Sequence, residues 1–220
     1  MAALRILRLA DQSEPRVRQQ VERALRQLQQ MVNVTALEQI LKSRDYFSMS
    51  QLASQLPSRM LPALSTLRRL YTKAASEEVA KLRRSGIRMN LQMTDPYMIE
   101  AARRNAATLL ANVSTETQKA VRSIIARSFE EGLRPRDAAK MIRSVVGLTD
   151  RQARSVFEYR SRLIADGYTD VQATSAAEKM ADRLLTYRAK TIARTETIAA
   201  ATAGQLASWR AAQQRGLIST

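Results

Sequence analysis

The chain has 220 residues, 45% hydrophobic but only 5% aromatic, and its 36 Lys and Arg against 20 Asp and Glu leave a formal charge of +16. That apolar share excludes a wholly disordered chain, and the absence of cysteine and histidine excludes disulfides, thiolate nucleophiles, histidine-based triads and most transition-metal sites. The charge points to a polyanion as partner, nucleic acid first, and no apolar run approaches the roughly 20 residues of a membrane span.

Alanine and leucine dominate and glycine and proline are few, so the expected fold is all-α: an elongated multi-helix protein with a C-terminal helical bundle and no sizeable sheet. The opening MAALRILRLA reads as a packing or partner-binding arm. Ser13 is a good N-cap with Pro15 in the first turn, and Val17, Val21, Leu25, Leu28, Val32 and Ile40 then follow helical spacing. A second helical region is expected from near Ser48, interrupted by Pro57 and Pro62, with Leu64, Leu67, Tyr71, Ala74 or Ala75 and Leu82 on its apolar face. Gly86 closes it as a left-handed cap, and residues 87–94 read as a linker. The chain therefore divides into a basic helical region, residues 1–90, and a second helical domain, residues 91–220. The first holds 16 basic and 7 acidic residues.

In the second domain, Thr94, Asp95 and Pro96 open a helix ending near Asn112, and Ser114 caps another carrying Val121, Ile124, Ile125 and Phe129 to Gly132. Pro135 starts a short helix with Ala138, Met141, Ile142 and Val145, ended by Gly147. Two echoing segments follow: GLTDRQA at 147–153 and GYTDVQA at 167–173. In each, the glycine stops one helix and Leu148 or Tyr168 packs back. Thr149 or Thr169 caps the next helix, Asp150 or Asp170 meets the positive dipole end, and Gln152 or Gln172 completes a capping box. This is helix-hairpin grammar rather than a repeat fold. Helical pattern then runs from Asp170 to about Gln214, with Met180, Leu184, Leu185, Ile192, Ile198, Leu206 and Trp209 as its packed face and Gly204 as a candidate bend.

Within that last helix, residues 189–209 read AKTIARTETIAAATAGQLASW. Arg194 and Glu196 lie two apart and point in different directions, and Glu196 has no basic residue three or four positions away. Small residues around them let a neighbouring helix approach. The pair is expected to find partners on other helices, with Arg151, Arg154, Arg160 and Glu158 as candidates.

IARTET after an Arg- and Ala-rich helix, followed by an alanine run, Gly204 and Trp209, resembles the phage head morphogenesis family, the MuF-type minor capsid proteins of tailed bacteriophages. EGLRPRDAAKMI and GLTDRQARSVFEYR precede it in the family's order, and the resemblance covers about residues 115–215. It implies that Ile192, Ala193, Arg194, Thr195, Glu196, Thr197, Gly204 and Trp209 form the family's core helix in a structural, non-catalytic role. It also implies a low-copy virion protein, present in several copies in the capsid interior near the portal vertex and in the host cytoplasm during assembly. Its partners would be the portal protein, the major capsid protein and double-stranded DNA bound without sequence preference, with no membrane association when assembled, no cofactor, no metal and no enzymatic activity. Many members continue into a strand-rich piece with Asp, Arg and His, and this sequence ends at Thr220 with no histidine, so that piece is expected to be absent.

The candidate contacts to nucleic acid or an acidic partner are Arg16, Arg18, Arg23, Arg26, Arg68, Arg69, Lys81, Arg83, Arg84 and Arg88. The alternative reading, a non-viral sequence-independent DNA-binding protein, needs only the charge and the helices, although no helix-turn-helix or aromatic stacking platform is visible. A magnesium-dependent hydrolase would need clustered carboxylates, whereas the acids are scattered and mostly sit at helix starts.

Overall fold

The computed structural model describes residues 2–43, 56–87 and 96–218. Among these residues there are seven α-helices and no strand, so the fold class is all-α. The helices are α1 (Ala2–Gln30), α2 (Val34–Ser43), α3 (Leu56–Arg84), α4 (Pro96–Glu130), α5 (Pro135–Val145), α6 (Asp150–Ala165) and α7 (Asp170–Gln214). They build two compact units. One comprises Met1–Val21, Leu61–Leu109 and Lys190–Thr220; the other comprises Glu22–Met60 and Leu110–Ala189. The units thus run across the sequence division at residue 90, each drawing on both sides of it.

Four features of the helices differ from the sequence reading, each for a physical reason. First, α1 starts at Ala2, not at Ser13, and passes through Pro15. An interior proline costs a helix about 3 kcal/mol. Here Leu9 and Ala10 fall seven to eight residues before Val17 on the same stripe and are buried with it, while Pro15 faces solvent. Burial of the arm offsets the proline, so residues 2–10 are part of the helix. Second, the stripe does not continue to Ile40 in one helix. Asn33 ends the connection by accepting bonds from the Thr35 and Ala36 N–H groups at 2.9 and 3.1 Å, which caps α2.

Third, α4 is one 35-residue helix with no break between Asn112 and Ser114. The polar residues Asn112, Ser114 and Thr115 resemble punctuation, but Leu109, Val113, Thr117, Ala120, Val121 and Ile124 keep an unbroken helical spacing and are all buried. Thr117 Oγ1 donates to the Val113 carbonyl inside the helix at 2.8 Å. Phe129, expected on this face, is 47% exposed. Fourth, Pro62 does not interrupt α3, because it faces solvent while Ala63, Leu67 and Leu70 keep a continuous buried stripe. The expected start near Ser48, the linker residues 88–94, and Thr94, Asp95 and Arg88 lie outside the described residues.

The punctuation of the second unit matches the sequence reading. Thr149 and Gln152 exchange both capping-box bonds at 3.3 and 3.1 Å, and Thr169 and Gln172 do the same. Leu148 is fully buried, but its counterpart Tyr168 is half exposed. Gly147 adopts φ +86°, so the position needs glycine's conformational freedom, while a Cβ there would meet Leu185 and Leu25 only at ordinary contact distance, 3.4–3.5 Å. Ala138, Met141, Ile142 and Val145 of α5 are buried as expected, with α2 and α6 packed against that helix. Phe157 and Leu185 are among the largest fully buried side chains of this unit.

Of the packed face expected for the 45-residue α7, Leu185 is fully buried, and the other six residues are not. Leu206 and Trp209 are 45% and 38% exposed, and Met180, Leu184, Ile192 and Ile198 are only half buried. The buried positions are chiefly small: Ala173, Ala177 and Ala181 in one unit, and Ala193, Ala201, Gly204, Ala207, Ser208 and Ala211 in the other. Small residues allow close helix approach, so here size rather than hydrophobicity marks the packed face.

Candidate functional site

The segment bearing the IARTET run lies in the unit formed by residues 1–21, 61–109 and 190–220. There α7 crosses α3 at Gly204. A Cβ on Gly204 would sit well inside contact with the Tyr71 carbonyl oxygen, 3.1 Å from its carbon and 3.2 Å from Ala74 Cβ. Gly204 therefore does not divide the helix, which runs from Asp170 to Gln214; it lets two backbones touch. Ser208, one turn on, donates to the Ala75 carbonyl at 3.1 Å and is fully buried.

A polar node extends the crossing. Glu78 is buried, and its carboxylate accepts from Trp209 Nε1 at 3.0 Å, Gln205 Nε2 at 3.2 Å and Lys81 Nζ at 3.0 Å. The Lys81 ammonium also stands 5.9 Å over the Trp209 ring. A buried carboxylate is tolerated when its lone pairs are met in this way. Trp209 thus serves through its indole N–H rather than as core filling, with its ring partly in solvent. Sequence reasoning missed Glu78, Gln205 and Ser208. A visible signal existed: Glu78 falls on the apolar stripe of α3, between Ala74 or Ala75 and Leu82.

The rest of the motif divides by exposure. Ala193 and Thr197 are buried, and Thr197 Oγ1 donates to the Ala193 and Arg194 carbonyls at 2.8 and 3.1 Å. Ile192 is half buried, while Arg194 and Thr195 face solvent. Glu196 borders a cavity of about 400 Å³ walled by Leu61, Leu64, Leu67, Tyr71 and Ala200, with Arg68 and Arg103 also lining it. Burial pushes the Glu196 carboxyl above the usual range. The four partners expected for Arg194 and Glu196 belong to the other unit. Arg160 bonds Asp170 at 2.6 Å and Thr174 at 3.1 Å, Glu158 pairs with Arg127, Arg154 pairs with Asp150, and Arg151 is exposed.

The candidate cationic contacts are likewise unequal. Arg26 is occupied by Glu22 and Asp182, which hold its guanidinium protonated against partial burial, and Lys81 belongs to the Glu78 node. Arg16, Arg23, Arg68, Arg69, Arg83 and Arg84 are exposed and Arg18 is half buried. In the other unit Arg188 is buried, donates to the Gly147 carbonyl at 2.5 Å and has its pKa lowered by desolvation to about 10. It holds the Gly147 turn and does not reach a partner. Among the described residues no group of three or more acidic side chains is placed to hold a metal, and no helix is long and apolar enough to cross a membrane.

No family model, curated protein or solved structure matches the chain.

Proposed function

We propose that this protein is a minor capsid or head morphogenesis protein of a tailed bacteriophage, acting structurally in head assembly or genome delivery rather than as an enzyme. It would associate with the portal protein and the head interior, in several copies per particle, and touch packaged DNA without sequence preference. The observation that carries the reading is the ordered series EGLRPRDAAKMI, GLTDRQARSVFEYR and AKTIARTETIAAATAGQLASW, which resembles the family over about half of the chain. The all-α architecture and the charge of +16 agree with it. The buried Ala193, Thr197 and Gly204 give the motif a packing role consistent with a structural protein.

The direct test is the protein composition of purified heads from a phage encoding this chain. The expected result is this chain as a low-copy component co-purifying with portal and coat protein. Its absence from heads at every stage of assembly contradicts the proposal.

A further inference from the structure

A second groove in the unit formed by residues 1–21, 61–109 and 190–220 runs between α1 and α3 and has a different character from the apolar cleft. Arg8, Leu9 and Gln12 line it from α1, and Lys73, Glu77, Ala80 and Arg84 line it from α3, with the buried Leu9 as part of its floor. Arg8 and Gln12 are four apart, and the α3 residues follow at i, i+4, i+7 and i+11, so the polar residues of each helix form one stripe. Lys73 and Arg84 are separated by about 16 Å along the helix. Arg8, Lys73 and Arg84 are exposed, and none makes an ion pair with another described residue; Arg84 only donates Nε to its own helix at the Ala80 carbonyl, at 3.3 Å. Elsewhere the cations Arg26, Lys81 and Arg160 are consumed by carboxylates.

We infer that this groove is the phosphate-backbone contact of the protein, taking one strand of double-stranded DNA through Arg8, Lys73 and Arg84, with Gln12 as a neutral donor. The inference rests on the reading of the chain as a component of a DNA-filled head, and it places the contact partly on residues outside the cationic set expected from sequence. Lys73 and Arg84, about 16 Å apart along α3, match several successive phosphates of a strand, which advance about 3.4 Å per nucleotide along the duplex axis, and Arg8 adds a cation from α1. No aromatic side chain lines the groove, so it lacks the stacking platform that single-stranded nucleic acid uses. Glu77 lies between the two α3 cations in sequence, exposed and unpaired among the described residues; its charge repels the strand and lowers the affinity.

The test is fluorescence anisotropy of the full chain with a duplex of about 20 base pairs across a salt series, because a charge of +16 alone gives binding at low salt. The triple variant R8Q/K73Q/R84Q is compared with R122Q/R162Q/R183Q, which removes equal charge from exposed positions of the other unit. The groove variant is expected to reduce the salt slope by about 2.7 and to weaken binding about 100-fold at 0.1 M salt, and the control by less than about 10-fold. E77Q is expected to tighten binding about two- to threefold, a gain that misfolding cannot produce. Equal losses in the two triple variants, or no gain in E77Q, overturn the assignment. So does displacement of the duplex by polyglutamate at equal charge, which would move the groove to an acidic protein surface. Failure here leaves the head-composition result standing, and absence of the chain from heads leaves the groove measurement standing.

Discussion

Gly204→Ala tests the α3–α7 crossing most sharply, because two effects oppose each other at this position. Alanine in place of glycine inside an exposed helix stabilises it by about 1 kcal/mol. At Gly204, however, the added methyl would meet the Tyr71 carbonyl group and Ala74 Cβ, the latter at 3.2 Å, whereas carbon atoms prefer about 3.5–4.0 Å. The carbonyl belongs to the α3 backbone and cannot rotate aside, so the helices must part by about 1 Å. Overpacking of this kind costs about 1–3 kcal/mol. Parting also stretches the Ser208–Ala75 and Trp209–Glu78 bonds, now 3.1 and 3.0 Å, each contributing about 1 kcal/mol. With the propensity gain subtracted, the net destabilisation is about 2–4 kcal/mol. For a chain of this size that lowers the melting temperature by roughly 10 °C. Circular dichroism during thermal and urea unfolding measures it. A G204A variant as stable as the parent, or more so, would mean that helix propensity prevails and the crossing is not close.

Glu196→Gln is expected to stabilise the protein at neutral pH. Burial raises the folded carboxyl pKa, so its penalty is absent below the unfolded pKa, grows as pH rises through the folded value, and is full above it. The advantage of E196Q should therefore vanish in acid, and a variant less stable than the parent at pH 7 would show that the carboxylate is usefully paired. Thr149→Ala should cost about 1–2 kcal/mol in urea unfolding and Thr169→Ala about 0.5–1, since both complete capping boxes but only Thr149 is half buried; no loss in either would refute the capping account. Arg160→Gln should cost about 2 kcal/mol through its bonds to Asp170 and Thr174. Arg134→Gln should cost less than about 0.5, because that side chain is 70% exposed, and equal costs would argue against burial as the cause.

Local grammar made much of the fold legible. Capping boxes at Thr149 and Thr169, the stop at Gly86 and the buried face of α5 depend on neighbouring residues, and sequence displays those directly. The failures arose where tertiary packing prevailed over local signals. Pro15 and Ser114 resemble boundaries, yet continuous buried stripes carry α1 and α4 through them. On α7, large apolar residues drew attention from the alanines that are buried, because hydrophobic scales weigh side-chain size and a close crossing selects against it. The site was legible only in part. The motif singled out Glu196 as an acid with no basic residue three or four positions away, but its spacing from Arg194 could not reveal that it borders an apolar cavity. The Glu78 node needs Gln205 and Trp209 from a segment about 130 residues away, a pairing that one sequence does not encode visibly.

The central claim is that this helical chain joins a phage head through the portal. Native mass spectrometry of the chain co-expressed with a portal protein encoded in the same genome, at about 0.3 M salt so that exposed charges are screened, tests that most directly. The account predicts a complex of defined stoichiometry that survives this salt. The contradicting result is no complex with portal together with tight duplex DNA binding at the same salt, which is the behaviour of a DNA-binding protein outside the virion.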